Sequence, residues 1–162
     1  MSKSGLYAHF KSKEALQLAT VDEAMRIFDE QVIAPAMQAE PGVDRLAAVC
    51  NEFFDYLERR TFPGGCFFAV TAVEMGKRTG RVKEYVQHCH ADFVDVLRQN
   101  AVEAVSRGQL PSTESPDSLT LELNGVILAA DVYFVLHGME NALDTARQVV
   151  RRRLAAADAS PS

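Results

Sequence analysis

The sequence predicts an all-α protein folded as a helical bundle, and three observations carry that expectation. Apolar residues recur at intervals of three and four over most of the chain, the spacing that gathers them on one face of an α-helix. Proline and glycine concentrate in a few short places between these stripes, where they interrupt helices. Residues 119–136 are apolar on nearly every side, as a helix must be if neighbours cover it all round.

The elements follow in order from these patterns. Ser12 is placed to cap a helix whose stripe is Leu18, Val21, Met25, Phe28 and Val32, ending near Pro35. The next helix opens at Pro41 and Gly42 and carries Val43, Leu46, Ala47, Cys50, Phe53, Phe54 and Leu57, the cleanest stripe in the chain. Phe62, Pro63, Gly64 and Gly65 form the turn that closes it. A shorter helix is expected from Cys66 to about Met75, followed by a connection holding Gly76, Lys77, Arg78, Gly80 and Arg81. A long helix then presents Tyr85, Val86, Cys89, Phe93, Val94, Leu97, Ala101 and Val105, stopping at Arg107 and Gly108. After the loop 111–116, Ser115 and Pro116 supply a cap and a first-turn proline for the apolar helix. A last helix with Met139, Ala142, Leu143, Ala146, Val150 and Leu154 completes a hairpin after Gly138, and Arg151, Arg152 and Arg153 complement its C-terminal dipole.

A length of 162 residues fits one compact domain, and 48% hydrophobic with 24% charged residues is the balance of a soluble globular protein. The longest nearly apolar stretch, 126–136, is interrupted by Asp131 and falls short of the roughly 20 residues a bilayer requires, so no membrane partner is expected. Three cysteines without paired spacing and no secretory leader fit a reducing cytoplasm.

Charge is segregated along the chain. Lys3, Lys11 and Lys13 lie within thirteen residues that hold no acid, although the formal net charge is -5. A local basic run suits phosphate contact at one end only. Lys3, Tyr7 and Lys13 are expected to position a nucleic-acid backbone, Ser2 and Ser4 to approach base edges and His9 to offer a further polar tip, while Leu6 and Phe10 share the opposite helical face.

Residues 2–16, SKSGLYAHFKSKEAL, resemble the end of the helix-turn-helix domain of the TetR family of transcription regulators. Gly64, Gly65, Cys66 and Phe67 before a helix, with Glu74 beyond, are similar to the start of that family's ligand domain, and the last two helices to its dimerisation helices. The resemblance implies a TetR-like bundle with a partial helix-turn-helix over residues 1–16 that lacks the first two helices, a ligand-binding and dimerisation domain over 17–158, and a disordered tail over 159–162. It implies a ligand-responsive regulator, a repressor, with operator DNA and a small-molecule effector as partners. It further implies a homodimer through helices 116–137 and 139–157. The alternative is a dimerisation or small-molecule-binding module that has lost DNA binding through N-terminal truncation. The walls of the effector site would come from Phe54, Cys66, Phe68, Glu74, His90, Phe93 and Asn124, with Phe53, Phe67 and Tyr85 nearby.

Signals for catalysis are weak, and no enzyme activity or cofactor is expected. There is no glycine-rich phosphate loop, serine elbow or pair of metal-binding histidines. His88, Cys89, His90 and Asp92 invite a zinc reading, but only His88 and Asp92 share a helical face, so no metal site is expected. Cys66 stands at a helix N-terminus, where the dipole favours a thiolate, but it is expected to be an inert, half-buried side chain; a reactive thiol is the alternative.

Overall fold

The computed structural model describes residues 12–155 apart from Arg78, and of Val73 the backbone alone. Helix α1 is Lys13–Phe28, α2 Val43–Glu58, α3 Phe67–Met75, α4 Arg81–Ser106, α5 Pro116–Val135 and α6 Ala142–Ala155. Among the described residues there is no strand, and the fold is all-α.

Local chemistry places most of the boundaries. The Ser12 hydroxyl accepts the Ala15 N–H at 3.0 Å, and the Ser115 hydroxyl accepts that of Ser118, so each serine satisfies one of the donors that a helix start leaves open. Gly42 opens α2 at φ +105°, a conformation that favours glycine, and the Gln109 side-chain oxygen occupies the space a Cβ would need while accepting the Val43 N–H at 3.2 Å.

Past Phe28 the chain departs from the single helix that periodicity predicts. A π-helical turn, Asp29–Ile33, precedes a last helical turn, Ala34–Ala36. Pro35 has no N–H to offer the Gln31 carbonyl four residues back, and the Arg59 guanidinium donates to that oxygen at 2.9 Å.

Helices α2, α4 and α5 pack on one another, α6 closes over α2 and α5, and α1 and α3 both lie on α4. The core between them includes Val49, Phe53, Tyr56, Leu97, Leu119, Leu123 and Ile127, all at most 2% exposed. Burying an aliphatic side chain of this size contributes about 1.5–3 kcal/mol. On α6, Arg147 reaches Asp55 and Glu58 of α2 and lies 5.8 Å over the Phe54 ring. Arg153 pairs with Glu114 and Glu122, so it ties α6 sideways to α5 and the preceding loop and is not simply a complement to its own helix dipole.

Two expectations need adjustment. Helix α6 begins at Ala142, three residues later than position 139, leaving Met139 in the connection and 45% exposed. Helix α5 is 20 residues long with a window of mean hydropathy 1.4, so by length and composition it is able to cross a bilayer. Its packing against α2, α4 and α6, with Asp131 inside the bundle, marks it as a core helix.

Candidate functional site

Helices α1, α2, α3, α4 and α5 converge on a narrow apolar cavity. Phe28 sits at its centre, with ring centroids 6.1 Å from Phe53, 6.0 Å from Phe68 and 5.4 Å from Phe93, each at a steep interplanar angle that suits edge-to-face aromatic contact. Met25, Cys66, Ala69, Cys89, His90, Asn124, Ile127 and Leu128 complete the wall. The space left is about 20 Å³ for the centre of a water-sized sphere, enough for about one water.

Five of the seven residues expected to meet an effector, Cys66, Phe68, His90, Phe93 and Asn124, line this one cavity. Phe54 does not. It is fully buried beneath Arg147 on the side of α2 that faces α6. Glu74 is exposed and lines an outer groove between α3 and α5, bounded also by Gly64, Ala69, Val70, Leu128, Asp131, Val132, Val135 and Leu136. Measured in the same way, that groove holds about 580 Å³. Ala69 and Leu128 belong to both walls and separate the cavity from the groove. Phe67 packs on Phe62, and Tyr85 donates to Asp22 at 2.6 Å, so neither belongs to the cavity wall.

Asp131 is the residue that sequence reasoning treated only as an interruption. It is 5% exposed, and its carboxylate accepts the Cys66 N–H at 3.2 Å, joining the middle of α5 to the start of α3. Burial raises its pKa above the usual carboxylate value, and the Cys66 N–H works in the opposite direction. Gly65 has φ +91°, and Asp131 Oδ1 occupies the place where its Cβ would stand. The available signal was an acid in the middle of an otherwise apolar helix, since such a residue needs a buried partner.

The cysteines are shielded. Cys66 is 4% exposed, and burial pushes its thiol up to about 11 despite the neighbouring Phe68 and Ala69 N–H groups that favour the thiolate. This agrees with the inert reading of Cys66: at the α3 N-terminus desolvation outweighs the dipole. Burial likewise raises the thiols of Cys50, to about 12, and Cys89. The Tyr56 hydroxyl is raised by burial and then by Cys66, and among the described residues no side-chain hydrogen bond reaches it or Asn124 Oδ1.

His88, Cys89 and His90 point three ways, as their spacing requires. His88 approaches Asp92 at 3.5 Å on the exposed face, Cys89 enters the core and His90 reaches the cavity. No cluster of three metal-ligating residues occurs among the described residues. Of the residues expected to meet DNA, Lys13 opens α1 and is exposed, while Ser2, Lys3, Ser4, Tyr7 and His9 lie outside the described residues.

The outer side of α5 and its following turn expose Leu121, Leu128, Val132, Tyr133, Leu136 and Met139, which makes an apolar surface continuous with the groove at Leu128, Val132 and Leu136.

Comparison with known proteins bears on this arrangement. Residues 42–150 match the family described as tetracyclin repressor-like, C-terminal domain. Among solved structures, a TetR transcriptional regulator from Chloroflexus aurantiacus J-10-FL is 24% identical, with a TM-score of 0.83 over 92% of this chain and 75% of its own. AibR in complex with isovaleryl coenzyme A and operator DNA is 23% identical, with a TM-score of 0.75 over 93% of this chain and 79% of its own. At these identities the likeness is one of fold. No curated protein matches the chain in sequence.

Proposed function

Because this chain belongs to the tetracyclin repressor-like C-terminal domain family, we propose that it is a cytoplasmic, homodimeric, ligand-responsive transcription regulator, acting as a repressor. A small-molecule effector occupies the aromatic cavity, and α5 and α6 pair with the same helices of a second copy. The observation that carries this reading is the shared wall: Ala69 and Leu128 face the cavity on one side and the exposed apolar groove on the other. A ligand that swells the cavity must push on residues that also shape the surface meeting a second subunit.

Packed interiors transmit such displacements because they are dense and resist compression. A coupling of about 1–3 kcal/mol between effector and operator changes affinity several-fold or more. In a dimer the effector acts by changing the separation of two DNA-reading elements, which must meet successive major-groove half-sites about 34 Å apart. The basic run Lys3, Lys11 and Lys13 supplies phosphate contacts. A relative of the same fold bound to an acyl thioester and operator DNA supports both kinds of partner for this chain.

The test is binding to labelled DNA flanking the chain's own gene across a salt series, with the oligomeric state followed by sedimentation. A dimer that prefers particular sequences, and loses that preference in the Lys3→Ala/Tyr7→Ala variant, is the expected result. A folded dimer that binds no DNA would overturn the regulator and leave a ligand-binding or dimerisation module.

A further inference from the structure

The chemistry of the cavity wall selects among effectors. Of its twelve side chains, nine are Met, Phe, Ala, Ile, Leu or the buried Cys89, and four of these are phenylalanines, three of them set edge to face around Phe28. Cys66 is a tenth apolar surface, held neutral by its raised thiol pKa. That leaves His90 and Asn124. Asn124 Oδ1 is buried without a hydrogen-bond partner among the described residues, a carbonyl acceptor in a wall whose one other polar side chain is His90. A buried acceptor in that state costs free energy until a donor reaches it, so it rewards any ligand that brings one.

Charge argues in the same direction. Among the described residues the lining contains no lysine or arginine. Acids flank it instead: Asp131 is bonded to the backbone of Cys66, and Asp92 stands close enough to Cys89 to raise its thiol. Lys83 is outside, in a neighbouring cleft that shares His90, with its ammonium group donating to the Gly76 carbonyl at 3.2 Å. An anion in the cavity would therefore be desolvated without a fixed cation and would face the lone pairs of Asn124.

We infer that the effector is an uncharged, compact, mainly apolar molecule that donates a single hydrogen bond from a hydroxyl or amide N–H to Asn124 Oδ1. The inference rests on the cavity being the effector site. The open space now holds about one water, so the ligand enters by displacing side chains. Met25, with three rotatable bonds and no polar group to strand, is the wall residue best able to yield.

Three one-ring probes separate the contributions: phenol as a neutral donor, toluene without a donor, and benzoate as an anion. They are titrated into the full-length chain at pH 7 by nitrogen-15 NMR. Phenol should bind roughly two- to tenfold more tightly than toluene, the usual range for one hydrogen bond, and benzoate more weakly than either. In Asn124→Leu the advantage of phenol over toluene should disappear while toluene still binds; if that variant loses its helical spectrum, Asn124→Ala gives the same comparison. Benzoate binding as tightly as phenol, or an unchanged phenol advantage in the variant, would overturn the inference while leaving the cavity as a binding site. If no probe perturbs the cavity residues, both the inference and the assignment of the effector to this cavity fail.

Discussion

Along α5 the inner face, Leu119, Leu123, Ile127, Ala130 and Phe134, is at most 6% exposed, whereas Leu121, Val132, Tyr133 and Leu136 on the outer face are 49–75% exposed. The side chains are of the same kind on both faces. What differs is the partner: α2, α4 and α6 cover the inner face, and no part of the described chain covers the outer one. Apolar character in a helix thus reports that a surface needs covering, and packing decides whether the same chain does it. Asp131 lies between the two faces and shows the third possibility, a polar group retained because a backbone donor from another helix meets it.

The sharpest way to break this contrast is to make equal changes on each face. Ile127→Ala, on the inner face, should cost about 2–5 kcal/mol, seen as a fall of about 5–15 °C in the midpoint of thermal unfolding followed by circular dichroism. An equally mild loss there would mean that the inner face repacks freely. Gly65→Ala attacks the seam, since a Cβ meets Asp131 at a backbone φ of +91°. Its expected cost is about 1–3 kcal/mol, with hydrogen exchange at the Cys66 amide accelerated as its bond to Asp131 opens.

On the outer face, Leu121→Lys with Leu136→Lys should change stability by no more than about 0.5 kcal/mol at concentrations where the chain is monomeric. Self-association measured by sedimentation should weaken more than about tenfold, because a charge in an apolar interface must be desolvated. Dimers unaffected by that double change would place the subunit contact elsewhere.

The smallest effect concerns pH. Burial raises the folded-state pKa of Asp131 above 3.8, so the native chain holds a proton that the unfolded chain has released between that value and the raised one. Stability from this group is therefore present at low pH and declines as pH rises through the window. Asp131→Asn keeps an acceptor for the Cys66 N–H and removes the titration. Denaturant midpoints should gain on those of the unmodified chain as pH increases from about 4, and parallel pH profiles would show that the carboxylate is not desolvated.

Much of the architecture was legible because it depends on neighbours in sequence. Ser12 and Ser115 cap their helices from three residues away, and Pro41 with Gly42 and Phe62 to Gly65 bracket α2 as composition predicts. The π-helical turn was not legible. Its apolar residues keep a helical spacing, so periodicity predicts an ordinary continuation of the helix.

The candidate site was legible only in part, for a related reason. Phe53 and Phe54 are adjacent on one stripe, yet a rotation of about 100° sends Phe53 to the cavity and Phe54 beneath Arg147 on the other side. Glu74 follows its ligand-domain motif in sequence but projects outward from α3. For Cys66, the helix N-terminus is visible in the sequence, while the burial that reverses its effect on the thiol is not.

The all-α class, most helix limits and the stripes that supply the core follow from residues near one another in the chain, since periodicity, capping and chain-breaking residues act over three or four positions. Which aromatic residues share a cavity, which face of α5 is left uncovered, and that Asp131 meets the Cys66 N–H across 65 positions of chain were settled by packing. Those outcomes depend on how whole helices rotate and lean against one another, and no local pattern specifies that.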